Sequence, residues 1–419
     1  MTSASLLLLA AIAAAPLQPS SPLTLAAAVR IAEANEPSLR SARADVRAAE
    51  ARVDEARAPL LPQVAATAQA SRSGAFRSSV SPENQWTGGL TAQQLVWDFG
   101  TASAGLAGAR ASARAQAATA REARLSIDAQ VRSAFVEAHA ARALVAIARE
   151  TLANQGAQLE KVRAFVEVGS KPESDVAQAR SQVAQSRLAL VQAESRQSLA
   201  RVQLHRALGL TGTPGYELAE ETVPAVAGED GPVEALGSSV DAGRPAIQRA
   251  AYLAAAQERT VEKARGGWLP SLGIFAGASA IGARPTDVDG GWSAGATLSW
   301  SLLDGGLTRA RVHEAAATLE SLRAGEETAR QDAQLELAQV LSTIHGAKSA
   351  WDAAAEAVSA AGEQLRLAAA RYEAGAGTLL EVNDAQAAAA SASAQGVEAE
   401  LQLAQARAQL LALLGRDGA

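Results

Sequence analysis

Apolar and polar residues alternate one by one in four short segments of this chain. In the clearest segment, Trp292, Ala294, Ala296, Leu298 and Trp300 alternate with Ser293, Gly295, Thr297 and Ser299. Such alternation gives a β-strand one apolar and one polar face. Segments of about ten residues have the length of a tilted membrane strand, but a soluble hairpin on a core shows the same pattern. We therefore predict two strand pairs, within residues 62–97 and 270–303, which either span a membrane or form soluble hairpins.

Helical patterns occupy most of the remaining sequence. Two stretches without proline, Thr101 to about Val166 and Leu307 to about Tyr372, are each long enough for a helix of about 100 Å. Apolar residues recur every seven positions in the first, as in a coiled coil, at Val145, Leu152, Leu159 and Val166. We predict a shorter helix before each strand pair and a return helix after each long helix. Their predicted ranges are 37–58, 245–266, 172–208 and 378–414.

The chain contains two copies of one unit. Asp98 recurs as Asp304 and Leu208-Gly209 as Leu414-Gly415, each pair 206 positions apart. A constant offset over most of the chain indicates an internal repeat. We place the first repeat at residues 23–208 and the second at 244–415. Between them lies a linker, residues 209–243, that is rich in proline and glycine.

Four strands cannot form a closed membrane sheet on their own. Open sheet edges are not tolerated in lipid, and the smallest single-chain barrels have eight strands. If the strands span a membrane, several chains must therefore contribute to one barrel. Ala-rich helices of this length also have little core of their own and need neighbours.

Composition and charge exclude several classes of protein. The 419 residues carry a net charge of −6 and contain no cysteine. Disulfides, thiolate nucleophiles and Cys-ligated metals are thereby excluded, and the mild acidity argues against nucleic-acid binding. No catalytic or nucleotide-binding motif occurs in a credible context. We predict neither an enzyme nor a cofactor.

The N-terminus resembles a secretory signal. Leu6 to Ala15 is an uninterrupted apolar run, and Ala13 and Ala15 offer a small-residue cleavage pattern. No Lys or Arg precedes the run, so a retained N-terminus is the alternative. We predict a signal peptide within residues 1–18 and export from the cytoplasm.

Several segments together resemble one known family. They are Leu23 to Leu25 with Ala28 to Pro37, then residues 56–62, then 95–100 and, most specifically, residues 371–386, RYEAGAGTLLEVNDAQ. On these segments the chain resembles the TolC-like outer-membrane factors, or outer membrane efflux proteins. The resemblance covers residues 23–415.

The resemblance implies a mainly α-helical fold with a membrane β-barrel part. Three chains would form a homotrimer, with a twelve-stranded barrel in outer-membrane lipid joined to an α-helical tunnel in the periplasm. Such a protein is an exit duct of an efflux pump or type I secretion system. It conducts small molecules or polypeptides passively and works with a periplasmic adaptor and an inner-membrane transporter.

Two other classes of protein are the alternatives. A periplasmic coiled-coil adaptor or scaffold without a pore would explain the helices, but not the four alternating strands or the two complete repeats. An enzyme would need a site that the sequence does not contain.

The resemblance also assigns roles to residues at the two hairpin tips. Glu381 and Asp384 match the acidic ring at the periplasmic pore mouth, and carboxylate rings favour cations. The alternative for both is an acidic helix start that the helix dipole stabilises.

The resemblance implies that a second group of residues closes that mouth. Tyr372, Asp175 and Ser174 match hydrogen-bonding positions of the gate, whereas Gly377 stands where the family has an arginine. Gly169 and Gly375 suit tight turns between helices, because glycine tolerates positive φ, and Gly377 is assigned to the same turn at the second tip.

Three tryptophans, Trp86, Trp292 and Trp300, fit an aromatic girdle at the membrane interface; buried strand aromatics are the alternative. His139 and His345 are repeat equivalents, but neither has a second ligand one helical turn away, so exposed helix histidines are favoured over a metal site. Asp98 and Asp304 precede the long helices and are predicted to cap them.

Overall fold

The computed structural model describes residues 22–74 and 83–415; the predicted signal peptide lies outside them. The described residues form eight α-helices and four β-strands. In chain order these are α1 (Leu25–Asn35), α2 (Pro37–Arg57), β1 (Gln63–Ser73), β2 (Glu83–Trp97), α3 (Thr101–Glu167), α4 (Glu173–Ala207), α5 (Val233–Gly243), α6 (Pro245–Arg265), β3 (Ser271–Arg284), β4 (Asp287–Ser299), α7 (Leu307–Glu373) and α8 (Leu379–Leu413).

The six helices predicted from the sequence end within one residue of the observed bounds. Two short helices, α1 and α5, were not predicted. The helix α5 occupies the end of the predicted Pro/Gly-rich linker, residues 209–243. Within the described ranges, no helix combines the length and the apolar character that crossing a membrane requires.

The chain divides into two compact units. Among the described residues, the first unit contains residues 22–37, 125–235 and 337–415, and the second contains residues 38–74, 83–124 and 236–336. The large side chains buried in the first unit include Phe135, Leu204, Leu337, Ile344 and Leu410. Its core is therefore made by the four long helices α3, α4, α7 and α8.

Alanine lines the core side of α8. Val382, Ala385, Ala392, Ala399, Leu403, Ala406 and Leu410 are all buried. The seven-residue spacing of Val382, Ala389, Gly396, Leu403 and Leu410, and of Ala385, Ala392, Ala399 and Ala406, predicts this seam, although Ala389 and Gly396 are only half-buried. Because an alanine side chain is only a methyl group, the helices on either side of such a seam can pack closely.

An ion network fixes the linker within the first unit. The Glu229 carboxylate is 2% exposed and accepts hydrogen bonds from the Arg407 guanidinium, the nearest at 2.7 Å. Lys348 Nζ lies 2.7 Å from the same carboxylate and 2.5 Å from Asp230. Burial alone would raise the pKa of Glu229, but the bonds from Arg407 and Lys348 and the Val226 N–H lower it to about 2. The carboxylate therefore remains ionised and joins the linker to α7 and α8.

The second unit contains the sheet and the helix ends next to it. The four described strands are antiparallel in the order β1-β2-β3-β4. Each strand pair leads into a long helix through a turn with positive φ, at Phe99 and Gly100 and at Gly305 and Gly306. The Asp98 and Asp304 carboxylates accept backbone N–H groups of these turns and of the first helical residues. Both aspartates thus cap their helices as predicted.

Candidate functional site

The register of the sheet places all the alternating apolar residues on one face. Across the sheet Ala66 pairs with Leu90, Leu90 with Ala278 and Ala278 with Trp292. Large side chains on this face are strongly exposed, such as Val64 at 66%, Leu298 at 66% and Trp292 at 85%. We call this surface the apolar face. Exposed apolar surface of this extent marks an interaction site in a folded protein.

The opposite side of the sheet, called here the polar face, carries mostly hydroxyl, amide and glycine residues. One row across it is Thr67, Gly89, Ser279 and Gly291. Phe275 is an exception on this face. It lies opposite Gly295, where an added Cβ would be 3.0 Å from the ring. The glycine therefore leaves room for the ring to lie against the strand.

The three tryptophans singled out in the sequence occupy different heights of the sheet. Trp86 and Trp292 lie on the apolar face, and Trp86 pairs with Gly282. Trp300 directly follows β4, and its indole N–H donates to the Trp268 carbonyl at 3.1 Å.

Sequence reasoning missed further exposed apolar residues where the strands meet the helices. They are Leu61, Val96, Trp97, Phe99, Trp268, Leu269, Leu302 and Leu303, each between 44% and 92% exposed. A signal was available, because the pairs Val96-Trp97 and Leu302-Leu303 are repeat equivalents that directly precede the capping aspartates.

The first hairpin tip lies between α3 and α4. Gly169 has φ 75°, its N–H donates to Val166 O, and the Ser170 N–H donates to Phe165 O. These two bonds form a Schellman motif, which ends a helix with a left-handed glycine. Ser174 and Asp175 follow in the first turn of α4. The helix dipole stabilises the negative charge of Asp175 at this end of the helix.

The second tip, between α7 and α8, has the same geometry. Gly375 has φ 73°, and its N–H and that of Ala376 donate to Tyr372 O and Arg371 O. Gly377 approaches the end of α7 closely, because an added Cβ would lie 3.1 Å from Tyr372 N.

Glu381 and Asp384 are both exposed near the start of α8. The Glu381 N–H donates to the Thr378 side chain, which caps the helix. The Glu381 carboxylate lies 3.6 Å from the Arg371 guanidinium. One of the two predicted mouth carboxylates thus has a nearby cation that sequence reasoning did not assign.

The Tyr372 ring is buried among apolar side chains from all four helices of the tips. The cluster includes Leu159, Val162, Ala179, Leu379 and Val382. Burial, with the negative charge of Asp175, raises the pKa of Tyr372. The Tyr372 hydroxyl forms no hydrogen bond to another described residue. The gate hydrogen bonds to Asp175 and Ser174 stay a prediction.

Two lysines connect the first tip to the second. Lys171 Nζ lies 4.5 Å from the centroid of the Tyr372 ring. Lys161 Nζ lies 2.7 Å from the Glu373 carboxylate. Lysine over an aromatic face is an attractive cation–π arrangement.

Metal binding has no support in the described part of the chain. No group of three or more potential ligands was found there. His345 is exposed and His139 is half-buried.

Comparison with known proteins gives a match in both repeats. Residues 28–210 and 236–416 match the model of the family described as outer membrane efflux protein. The chain belongs to the outer membrane efflux protein family. It is an outer-membrane channel that extends into the periplasm, and the match gives no support to a pore-free scaffold.

Individual relatives agree with this family. Protein CyaE of Bordetella pertussis is 30% identical over 374 residues, which cover 87% of this chain and 78% of CyaE. Outer membrane efflux protein BepC of Brucella suis is 24% identical over 371 residues, or 87% of this chain and 79% of BepC.

A solved structure shares the fold. The outer membrane channel MtrE of Neisseria gonorrhoeae, in its open state, gives a TM-score of 0.79 at 23% identity, over 94% of this chain and 89% of MtrE. Family and fold are those of channels, not of enzymes.

Proposed function

We propose that three copies of this chain close their sheets into one twelve-stranded barrel and act as a passive exit duct. The observation that carries the proposal is the four-stranded sheet with one apolar and one polar face. Among the described residues, the outer edges of β1 and β4 pair with no other strand. Such edges are not tolerated in lipid, so each must pair with a neighbouring copy. The apolar face then contacts lipid, and the polar face lines the lumen.

The spacing of tryptophans supports this orientation. Trp292 and Trp300 are eight residues apart, about 26 Å along a strand. In a strand tilted by about 40° this is about 20 Å of height, close to the apolar band of about 25 Å in outer-membrane barrels. The two residues thus suit opposite membrane interfaces.

The mouth of the duct is proposed at the second hairpin tip. Glu381 and Asp384 from three chains would form an acidic ring that attracts cations. Arg371 lies close enough to Glu381 to offset part of that charge. We expect Asp384 to contribute more to selectivity than Glu381.

Closure of the mouth is proposed to use the contacts between the tips. Gly377 offers no side chain for the latch that the resemblance implies. The Tyr372 cluster, Lys171 and Lys161 instead hold α3 and α4 against α7 and α8. Asp175 and Ser174 are the remaining hydrogen-bonding partners for the assembled gate.

The proposed duct has partners but no chemistry of its own. We expect a periplasmic adaptor at the hairpin tips, an inner-membrane transporter that supplies the driving force, and lipid around the barrel. No cofactor, nucleic acid or catalytic step is required. Drug efflux and type I secretion both remain compatible with these features.

The proposal is tested by extracting the chain from outer membranes in mild detergent. We expect a protein mass of three chains by light scattering corrected for detergent, and ion channels after transfer to planar bilayers. A monomer or dimer without channel activity would contradict the proposal and return the chain to the scaffold alternative.

A further inference from the structure

A cavity of about 1090 Å³ lies in the second unit where the sheet meets the helices. The strand residues that line it, Leu95, Ser271 and Ser299, belong to the polar face of the sheet. If that face lines the lumen, as in the proposed function on which this inference rests, the cavity opens into the conduit.

Two cationic side chains line the cavity. Lys263 comes from α6 and Arg311 from α7. Lys263 extends along Gly105 of α3, where an added Cβ would lie 3.7 Å from its Cδ and 3.8 Å from its Nζ. Within the described residues neither cation forms an ion pair with the chain. Both are therefore available to an external anion.

Two carboxylates also line the cavity, but they differ in availability. Asp98 accepts the N–H groups of Gly100 and Ala102 and is occupied by the helix cap. Glu314 lies one helical turn after Arg311 and makes no ion pair with a described residue. An anionic ligand that pairs with Lys263 and Arg311 is therefore repelled by the Glu314 carboxylate. Removal of that charge should strengthen the binding of anions, and this can be tested.

Apolar surface completes the lining. Leu95 and Leu269 contribute side chains. Close packing of Gly266 on Thr101 and of Gly267 on Thr308 brings α6 against the starts of α3 and α7. Ligand sites have volumes of roughly 300–1,000 Å³ and combine apolar walls with convergent polar groups; this cavity is of similar size and has both kinds of lining, with the polar residues in the majority.

We propose that the cavity is a binding site for amphipathic organic anions of drug size that pass through the duct. The acidic group of such a molecule would pair with Lys263 and Arg311, and its apolar body would lie against Leu95 and Leu269. The site would favour organic acids over organic cations of the same shape.

The test uses the full-length trimer in bilayers of neutral phosphatidylcholine, so that no anionic lipid competes. Naphthalene-2-sulfonate is the probe, and neutral naphthalene-2-sulfonamide is the matched compound. We expect the sulfonate to reduce the ionic current in a saturable manner and the sulfonamide to act at least tenfold more weakly.

Variants assign the effect to the cavity. Lys263→Gln with Arg311→Gln is expected to raise the half-blocking concentration at least tenfold, and Glu314→Gln to lower it. Arg309→Gln is the matched control, because Arg309 is an exposed cation on α7 outside the lining; it should leave the value within twofold.

The outcomes separate the two proposals. Wild-type channels that the sulfonate does not block, or that it blocks equally in the Lys263/Arg311 variant, would overturn the binding site while leaving the duct intact. A wild-type protein that forms no channel would instead contradict the proposed function.

Discussion

Lys171 Nζ lies over the ring of Tyr372, 4.5 Å from its centroid, and so connects the first hairpin tip to the second. In the internal repeat, Lys171 is the counterpart of Gly377, 206 positions later. The cation that the resemblance expects at position 377 is thus missing there, while a cation stands at the equivalent point of the other tip.

Loss of the two lysine contacts should favour an open mouth. We expect Lys161→Gln with Lys171→Gln to increase the open population several-fold, because a cation–π contact on a buried ring is worth about 0.5–2 kcal/mol and an exposed ion pair about 0.2–1 kcal/mol. Single-channel conductance in planar bilayers measures this. Arg163→Gln is the control, since Arg163 pairs with Glu160 on its own helix. An equal change in the control would show that net charge, not contact between tips, is responsible.

The Glu229 network should make stability depend on acid pH. The pKa of Glu229 is about 2 in the folded chain, against an ordinary value of 4.5. Because the folded pKa is the lower one, ionised Glu229 stabilises the fold fully above pH 4.5, and this contribution is lost as the pH falls from 4.5 towards 2. A shift of this size corresponds to on the order of 3 kcal/mol. Thermal unfolding between pH 2 and pH 7 measures it.

Substitution of the same residue gives an independent check. We expect Glu229→Gln to destabilise the fold by about 3–5 kcal/mol, because Arg407 and Lys348 lose their shared buried carboxylate. Asp230→Asn is the control: its carboxylate also contacts Lys348, but it is 75% exposed, so the cost should stay below about 1 kcal/mol. Similar destabilisation by the two substitutions would show that burial of Glu229 is unimportant.

Charge at the second tip should set ion selectivity. Glu381→Gln with Asp384→Asn should reduce the preference for cations, and Arg371→Gln should increase it by removing the cation near Glu381. Reversal potentials in a salt gradient report both changes. Glu363→Gln serves as the control, because Glu363 pairs with Arg366 further back on α7. Unchanged reversal potentials in the double variant would remove these residues from the mouth.

The close contact between the end of α6 and the start of α3 should depend on the absence of a side chain at Gly266. A Cβ at Gly266 would lie 1.9 Å from Thr101 Oγ1, so we expect Gly266→Ala to destabilise the chain by about 1–3 kcal/mol. Adding Thr101→Ala should restore part of this, although Thr101 also donates a bond to Asp98 O. Denaturant unfolding of the single and double variants measures the coupling.

A helical glycine without neighbours provides the reference. Gly156 in α3 has nothing within 4 Å of an added Cβ, and alanine is the better helix former by about 1 kcal/mol. Gly156→Ala should therefore stabilise the chain. Additive effects of the Gly266 and Thr101 substitutions would contradict the close approach.

Much of this fold was predictable because it depends on regular periodicity. The long helices have no internal proline, and their ends are marked by Gly169 and Gly375. The apolar face follows from alternation in each strand, and pairing in the sheet keeps the alternating residues together.

The remainder depends on contacts that no local pattern encodes. Trp97 adjoins an irregularity in the pairing of β2 with β3, so alternation does not reveal its exposure. The contacts of Lys171 with Tyr372 and of Arg371 with Glu381 depend on how the tips fold back. The short helix α5 lies among prolines and glycines, which obscured it.

The duplicated backbone has a consequence for symmetry. Tyr372 and Glu381 stand at the positions occupied in the first repeat by Val166 and Asp175, so the two tips share one geometry and differ in surface chemistry. Three chains would therefore present six tips of two alternating kinds. A partner that approached this end would meet six tips with the same backbone geometry, but only three of each kind of surface. Six copies of one partner could therefore not all occupy equivalent sites.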